Sequence, residues 1–429
     1  MRKFKVYNTI DKKEIMAVSK VMKTGVLSKY LASPGKYFNG GPQVLKFEDA
    51  IKKYFNVKYA LTLNSWTSGL IASVGALDVS PGDEIIVTTW SMCASATAIV
   101  HWNCIPVFAD IDPETYNIDP KSIEKKITKK TKAIMTVDIF GQSCDIKSIL
   151  RIAKKHNLKV ISDSAQSIGS KVGNKFAGTL SDIGGYSLNY HKHINTGEGG
   201  IIVTNNKKLF KRASLIRNHA EAVLKKGSKK DFSNMVGYNF RLGEIEAAIG
   251  IQQLKKLNKL IKYRQKMVQI LNAGLKDLNY LKIPKSFKNN THIYYLYPLT
   301  FNTIKAKILR KTIVKRLKQL GVPGLIEGYE IIHKLPMFKK KIDALIFPSL
   351  DESFGIPLIE ACLFDKNILV SNKSYAHDLI KNAIYFDPES VDSIKKSITN
   401  YLIKPDISKP KLKKKIKFLS SKYFIESLN

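Results

Sequence analysis

Between about residues 40 and 205, short apolar runs alternate with stretches of helical spacing. The runs Tyr59-Ala-Leu-Thr-Leu63, Glu84-Ile-Ile-Val-Thr88, Pro106-Val-Phe-Ala109, Ala133-Ile-Met-Thr-Val137, Val160-Ile-Ser162 and Gly200-Ile-Ile-Val-Thr204 have strand length and are rich in β-branched residues. They carry no polar alternation, which is the pattern of strands buried on both faces. Thr67 to Leu77, Ile118 to Ile127 and Ile146 to Lys155 instead repeat apolar residues at helical intervals. Alternation of this kind predicts an α/β fold, with a mainly parallel sheet covered by helices on both faces. Ligands of such sheets bind where loops leave the carboxyl ends of the strands.

Beyond Arg241 a long amphipathic helix is predicted to about Leu275, leading to a smaller domain that starts near Tyr294-Tyr-Leu-Tyr-Pro298. The composition breaks at Phe338 to Lys341, and a fresh strand, Ala344-Leu-Ile-Phe347, follows. A glycine-initiated helix, a strand at Ile368-Leu-Val370, a helix from about Ser390 and a lysine-rich amphipathic tail complete the chain. The expected division is a large domain over 1–260, a partial small α+β domain over 261–340 and a C-terminal piece over 343–429.

The chain has 429 residues, 44% of them hydrophobic, enough for two or three domains with sizeable cores. It has no apolar run of membrane-spanning length and no signal-peptide core, so a cytoplasmic protein without membrane insertion is expected. Cys93, Cys104, Cys144 and Cys362 are scattered without CxxC pairing, which predicts reduced thiols and no structural metal. The 71 basic against 35 acidic residues, a net charge of +36, raise the possibility of nucleic-acid binding. The excess is mostly lysine spread along the chain, with no aromatic platform or DNA-binding motif. It reads as a solvated lysine-rich surface, and no nucleic-acid partner is expected.

Candidate chemistry concentrates in Tyr186-Ser-Leu-Asn-Tyr-His-Lys-His-Ile-Asn-Thr-Gly-Glu-Gly-Gly200. A strand ends, and a polar loop presents Lys192 before a glycine-rich turn. A lysine partly desolvated at a strand end has a lowered pKa and can form a Schiff base. Taken alone, a lysine there is far more often a solvated surface group, and it is the neighbouring segments that change those odds. Asp163, just past the strand Val160-Ile-Ser162, can pair with a pyridinium nitrogen or simply cap a helix. The turn Leu63-Asn-Ser-Trp-Thr-Ser-Gly69 offers hydroxyls and backbone amides at a helix start, suited to a phosphate or to capping.

In this order and spacing, these segments resemble the DegT/StrS-type sugar aminotransferases, a fold-type-I pyridoxal-phosphate family. The resemblance runs over about residues 1–340 and includes Pro81-Gly-Asp-Glu-Ile-Ile-Val87, Phe108-Ala-Asp-Ile-Asp112, Ile139-Phe-Gly-Gln142 and Val236-Gly-Tyr-Asn-Phe-Arg-Leu242. It implies a seven-stranded sheet, pyridoxal 5'-phosphate as cofactor, and a substrate pair of nucleotide-linked keto sugar and amino acid, the usual donor being glutamate. Lys192 then takes the part of the cofactor-bearing lysine and proton shuttle, and Asp163 that of the pyridinium partner. Gln166 falls near the phenolic oxygen, and Thr67, Ser68 and Ser187 match phosphate positions. Asn239 matches a phosphate contact supplied by the neighbouring subunit, which implies a homodimer with shared active sites. Met92 stands where the family usually stacks an aromatic ring on the cofactor, leaving Trp66 or Trp90 as substitutes. Trp66 itself occupies a position that commonly holds a small residue. A related dehydratase branch has histidine in place of the lysine, so the presence of Lys192 favours transamination. His191 and His193 flank it, with polar packing as the plainer reading of both.

The stretch Asp343-Ala-Leu-Ile-Phe-Pro-Ser-Leu-Asp-Glu-Ser-Phe-Gly-Ile-Pro-Leu-Ile-Glu-Ala361 departs from that family. It resembles the nucleotide-sugar-binding end of group 1 GT-B glycosyltransferases over about 343–405, with Glu352 and Glu360 matching the paired glutamates and Tyr385-Phe-Asp-Pro388 the following strand and turn. The resemblance implies a donor-sugar contact for Glu352 and a ribose contact for Glu360. Read from the residues alone, both carboxylates simply face solvent. The segment is too short to build either half of such an enzyme, so no glycosyl transfer is expected from it. Leu345, Phe347, Leu358 and Ile359 are expected instead to cover apolar surface left by the shortened small domain.

Overall fold

The structure is a computed structural model that describes residues 8–33, 35–220, 235–339, 344–347, 358, 361–362, 367–403 and 411–412. The chain divides into two compact units, Met1–His333 and Lys334–Asn429.

The first unit is built on seven strands: β1 Tyr59–Leu63, β2 Glu84–Thr88, β3 Ile105–Ala109, β4 Thr131–Val137, β5 Lys159–Asp163, β6 Ile183–Ser187 and β7 Gly200–Thr204. Their spatial order is β1-β7-β6-β5-β4-β2-β3. Every pairing among β2 to β6 is parallel, while β7 runs antiparallel to both β1 and β6. This is the mainly parallel sheet that the alternating pattern predicts, with the seven strands that the family resemblance implies. The strand ends agree with the apolar runs to within two residues.

Strand β6 has the least legible sequence, because Gly184 and Gly185 lack β propensity. Packing explains them. A Cβ on Gly184 would lie 2.3 Å from the carbonyl oxygen of Gly178, and one on Gly185 would lie 1.9 Å from that of Ile201. Only glycine lets neighbouring backbone approach so closely.

Among the described residues, the helices packed around the sheet include α1 Lys12–Thr24, α2 Pro42–Phe55, α3 Trp66–Ala76, α4 Ala94–Val100, α5 Pro120–Lys125, α6 Ile146–Lys155, α7 Lys207–Arg217 and α8 Glu244–Leu275. On one face, Phe47, Ile51 and Phe55 of α2 and Ile251, Leu254 and Leu257 of α8 pack on Tyr186, Ile201 and Val203. Farther along the same face, Ile146, Ile149 and Ala153 of α6 and Ile123 of α5 pack on Ile86, Ile134 and Val160, while α3 lies against β6 and β7 on the opposite face. Alternating layers of this kind bury the sheet on both sides, which is why its strands need no polar face. Arg217, fully buried at the end of α7, donates to Glu48 Oε1 at 2.6 Å and to the Thr62 carbonyl at 3.1 Å. That ion pair ties α7 to α2 and β1, and it satisfies charges that would otherwise be costly to bury.

The second unit contains a three-stranded parallel sheet, β8 Ala344–Phe347, β9 Asn367–Ser371 and β10 Ile384–Phe386, in the order β8-β9-β10. A helix, α9 Val391–Ile403, follows. Leu358, Ala361, Ile368, Val370, Ala376 and Ile380 form a separate core, with Phe347 packed against it. Phe347 and Leu358 are thus used within their own unit, where the sequence suggested a cover for the small domain. Ile359, Glu352, Glu360 and the side chain of Leu345 lie outside the described residues.

Candidate active site

The carboxyl ends of β1, β5 and β6 open into a cavity of about 590 Å³, within the size range of small-molecule sites. Each wall has a local cause. Leaving β1, the chain turns into α3 with Ser65 as N-cap, its hydroxyl accepting from the Ser68 amide at 3.1 Å. The first-turn amides ahead of Ser68 have no intrahelical acceptor, so they and the helix dipole favour an anion. This turn sits tight on β7, since a Cβ on Gly200 would lie 2.4 Å from the Ser65 carbonyl oxygen. The loop from β6 to β7 is pinned where Leu188 N donates to Gly199 O at 2.8 Å and Thr196 N to Leu188 O at 3.0 Å. Lys192 is held inside that closed loop by its own amide, which donates to Asn189 O at 2.9 Å.

The structure brings Lys192, Asp163, Gln166, Thr67, Ser187 and Met92 to this one cavity, together with Ser65, Trp66, His191, Tyr295 and Tyr329. Burial pushes the Lys192 ammonium down to about 8, against the attraction of nearby Asp163. Its Nζ lies 4.3 Å from the centre of the Tyr295 ring, a cation–π seat for the charged form. Asp163 is buried and accepts from Trp66 Nε1 at 2.7 Å, Ser95 Oγ at 2.7 Å and the Ala165 amide at 3.2 Å. Gln166 accepts from the Phe140 amide at 2.8 Å and donates to Tyr329 Oη at 3.2 Å.

One residue expected in the cavity is elsewhere. Ser68 is buried and does not line the cavity; its Oγ is 3.0 Å from Ser65 Oγ. Ser65, which belongs to the same hydroxyl-bearing turn but matches no phosphate position of the family resemblance, lines the cavity in its stead. Asn239 does not line the cavity of its own chain and is exposed, bridged to Asn218. Met92 is 55% exposed over the cavity. Neither tryptophan is set up as its replacement: Trp66 is engaged with Asp163, and Trp90 donates to the Tyr329 carbonyl at 2.7 Å. His193 is buried, donates from Nε2 to Ile293 O at 2.9 Å, and is pushed by burial down to about 3, consistent with packing. His191 faces the cavity, where burial and then Lys192 hold its pKa below the ordinary value. Tyr295, Tyr329 and Arg264 also line the cavity and had no motif to mark them. The four cysteines are free, and among the described residues no cluster of three His, Cys, Asp or Glu side chains could hold a metal.

A parallel sheet in this strand order, with a depressed lysine and a buried carboxylate at its carboxyl edge, defines a fold-type-I transferase that carries its chemistry on a cofactor. The model of the DegT/DnrJ/EryC1/StrS aminotransferase family matches residues 10–351, and the chain belongs to that family. A GDP-perosamine synthase of Escherichia coli O157:H7 is 34% identical over 317 residues, 73% of this chain and 82% of that protein. The solved structure of Helicobacter pylori PseC, an aminotransferase involved in the biosynthesis of pseudoaminic acid, is 31% identical, covers 77% of this chain and 85% of its own, and superposes with a TM-score of 0.68. A GDP-4-keto-6-deoxymannose-3-dehydratase solved with a trapped PLP–glutamate geminal diamine is 28% identical, over 76% of this chain and 85% of its own, with a TM-score of 0.66. The model of group 1 glycosyl transferases matches residues 310–417 and overlaps the aminotransferase match. The chain is a pyridoxal-phosphate-dependent sugar aminotransferase. The donor set fits that cofactor: an amine near 8 for its aldehyde, a buried carboxylate for its ring nitrogen, and hydroxyls at a helix start for its phosphate.

Proposed function

We propose that this chain transfers an amino group to a keto sugar carried on a nucleotide, using Lys192 as the reactive amine, in a cytoplasmic homodimer with glutamate as donor. The observation that carries the reading is the pairing in one cavity of Lys192, held at about 8, with the buried carboxylate of Asp163. Bound pyridoxal phosphate supplies an electron sink that stabilises negative charge at the carbon bearing the amino group. The protein residues do the rest. Lys192 Nζ, able to be neutral near pH 8, would carry the proton between Cα of the amino donor and C4′ of the cofactor. Asp163 Oδ2 would accept the hydrogen bond of the protonated ring nitrogen, and Gln166 would lie near the phenolic oxygen. Ser65, Thr67 and Ser187 bind the phosphate with the first turn of α3. Asn239 of each subunit serves the site of its partner. Tyr295 holds the lysine head between proton transfers.

The relatives support the substrate class, since the proteins named above act in GDP-sugar and pseudoaminic-acid chemistry. Glutamate as donor is supported by the glutamate trapped in the dehydratase neighbour. The C-terminal unit contributes no sugar transfer in this reading. Purified protein incubated with pyridoxal phosphate, glutamate and a panel of nucleotide-linked keto sugars should yield a product heavier by the amine exchange and 2-oxoglutarate in equal amount. Absence of amination across UDP-, GDP- and dTDP-linked 4-keto sugars would refute it.

A further inference from the structure

We propose that Trp66 is a positioning residue for Asp163: its indole N–H fixes one carboxylate oxygen so that the other is presented to the ring nitrogen of pyridoxal phosphate. The inference rests on the role given to Asp163 above. An ionised carboxylate oxygen has about two acceptor sites. Oδ1 fills both, with Trp66 Nε1 at 2.7 Å and the Ala165 amide at 3.2 Å. Oδ2 receives the Ser95 hydroxyl at 2.7 Å and keeps one site for a further donor. The indole is therefore the shortest tie on the oxygen that is not offered to the cofactor.

The chain makes room for this ring at a specific cost. Trp66 is only 5% exposed. A Cβ on Gly69 would lie 2.5 Å from the indole, and one on Gly185 would lie 2.2 Å from it. Glycine on the next turn of the helix and glycine in β6 leave the slot the indole fills. Trp66 is also the first residue of α3, so the turn that offers amides to the cofactor phosphate carries the donor that orients the carboxylate at the far end of the ring. One rigid turn then sets both ends of the cofactor.

The test compares binding of pyridoxal phosphate with binding of its 1-deaza analogue, in which C–H replaces the ring nitrogen, to cofactor-free protein by calorimetry. A hydrogen bond to a charged group is worth about 1.5–3 kcal/mol, so the wild type should prefer the parent cofactor roughly 10- to 100-fold. Asp163→Asn should erase that preference. Trp66→Phe should keep the affinity for the analogue within about twofold and lower the preference at least about fivefold. A preference unchanged in Trp66→Phe but erased in Asp163→Asn overturns the inference and leaves the role of Asp163 standing. A preference that survives Asp163→Asn overturns both. Should Trp66→Phe fail to fold, ¹⁵N-tryptophan labelling decides: of the three indole signals expected from the sequence, that of Trp66 should shift on adding the parent cofactor and in Asp163→Asn. A Trp66 signal that stays in place in both samples overturns the proposal.

Discussion

A lysine is nucleophilic only as the neutral amine, so the depressed pKa of Lys192 has a measurable consequence without any cofactor. At pH 7 an ordinary lysine near 10.5 is neutral in roughly one molecule in 3,000, whereas one near 8 is neutral in about one in ten. Lys192 should react with trace acetic anhydride in cofactor-free protein roughly 300-fold faster at pH 7 than its ordinary pKa allows, before any loss from partial burial. Competitive acetylation across pH 6 to 11, with the Lys192 peptide followed by mass spectrometry, should show an inflection near 8. Surface lysines in the same digest supply the unperturbed reference. Asp163→Asn is the informative perturbation. The Asp163 carboxylate draws the Lys192 pKa upward against burial, so removing its charge should move the inflection below that of the wild type. An inflection near 10.5, or one that rises in Asp163→Asn, would refute the placement of the two groups.

Four further outcomes follow from the same geometry. Mixing Lys192→Ala with Asn239→Ala should restore activity in hybrid dimers, because one of the two sites then has both intact residues; verified subunit exchange without recovery would remove the shared site. Gly185→Ala should lower the urea midpoint by an amount equivalent to about 1–3 kcal/mol, the usual cost of overpacking, because its Cβ meets Ile201 O at 1.9 Å. Glu352→Ala with Glu360→Ala should leave transamination within about twofold, and no transfer of sugar from a nucleotide donor should be detected in either protein. Lys192→Met should stabilise cofactor-free protein by about 3 kcal/mol at pH 7, since burial costs the ammonium the gap between 10.5 and about 8. The folded state binds fewer protons than the unfolded state between those two values, so wild-type stability rises with pH there and the advantage of methionine should fade above pH 8 in urea melts.

Most of the sheet was legible because strands buried on both faces must be continuously apolar, and such runs tolerate few other readings. Strand β6 was the exception, since Gly184 and Gly185 answer to backbone contacts made by Gly178 and Ile201, which lie outside the strand itself. At the site, Asp163 could be found because it ends a buried strand, and Lys192 because it stands in the polar, glycine-rich loop that leaves β6. Ser65 and Ser68 could not be told apart, because which hydroxyl faces the cavity depends on the helix phase at its first turn. Tyr295, Tyr329 and Arg264 reach the cavity from segments more than seventy residues beyond Lys192. Only the tertiary fold brings them there, and no local spacing reports it.

Trp66 shows why residues that break a local expectation are best read together. By itself it is a large side chain in a turn that ordinarily wants a small one, and an indole would be expected to stack on the cofactor in place of the missing aromatic at Met92. The structure gives it a different partner. Its N–H reaches Asp163, and its ring lies over Gly69 and Gly185. The three nearest atoms to a Cβ on Gly69 all belong to Trp66, so that glycine is explained by the tryptophan alone. Gly185 would be required by the Ile201 carbonyl in any case. The backbone spacing of β6 and β7 therefore left a gap, the indole fills it, and the carboxylate at the end of β5 gains a donor. On the proposed placement of the cofactor, its face is correspondingly left to the thioether of Met92, which lines the cavity and is softer and less directional than an aromatic ring. With Asp163 in its proposed role, the arrangement exchanges a stacking contact over the ring for a firmer hold on the group proposed to meet its nitrogen.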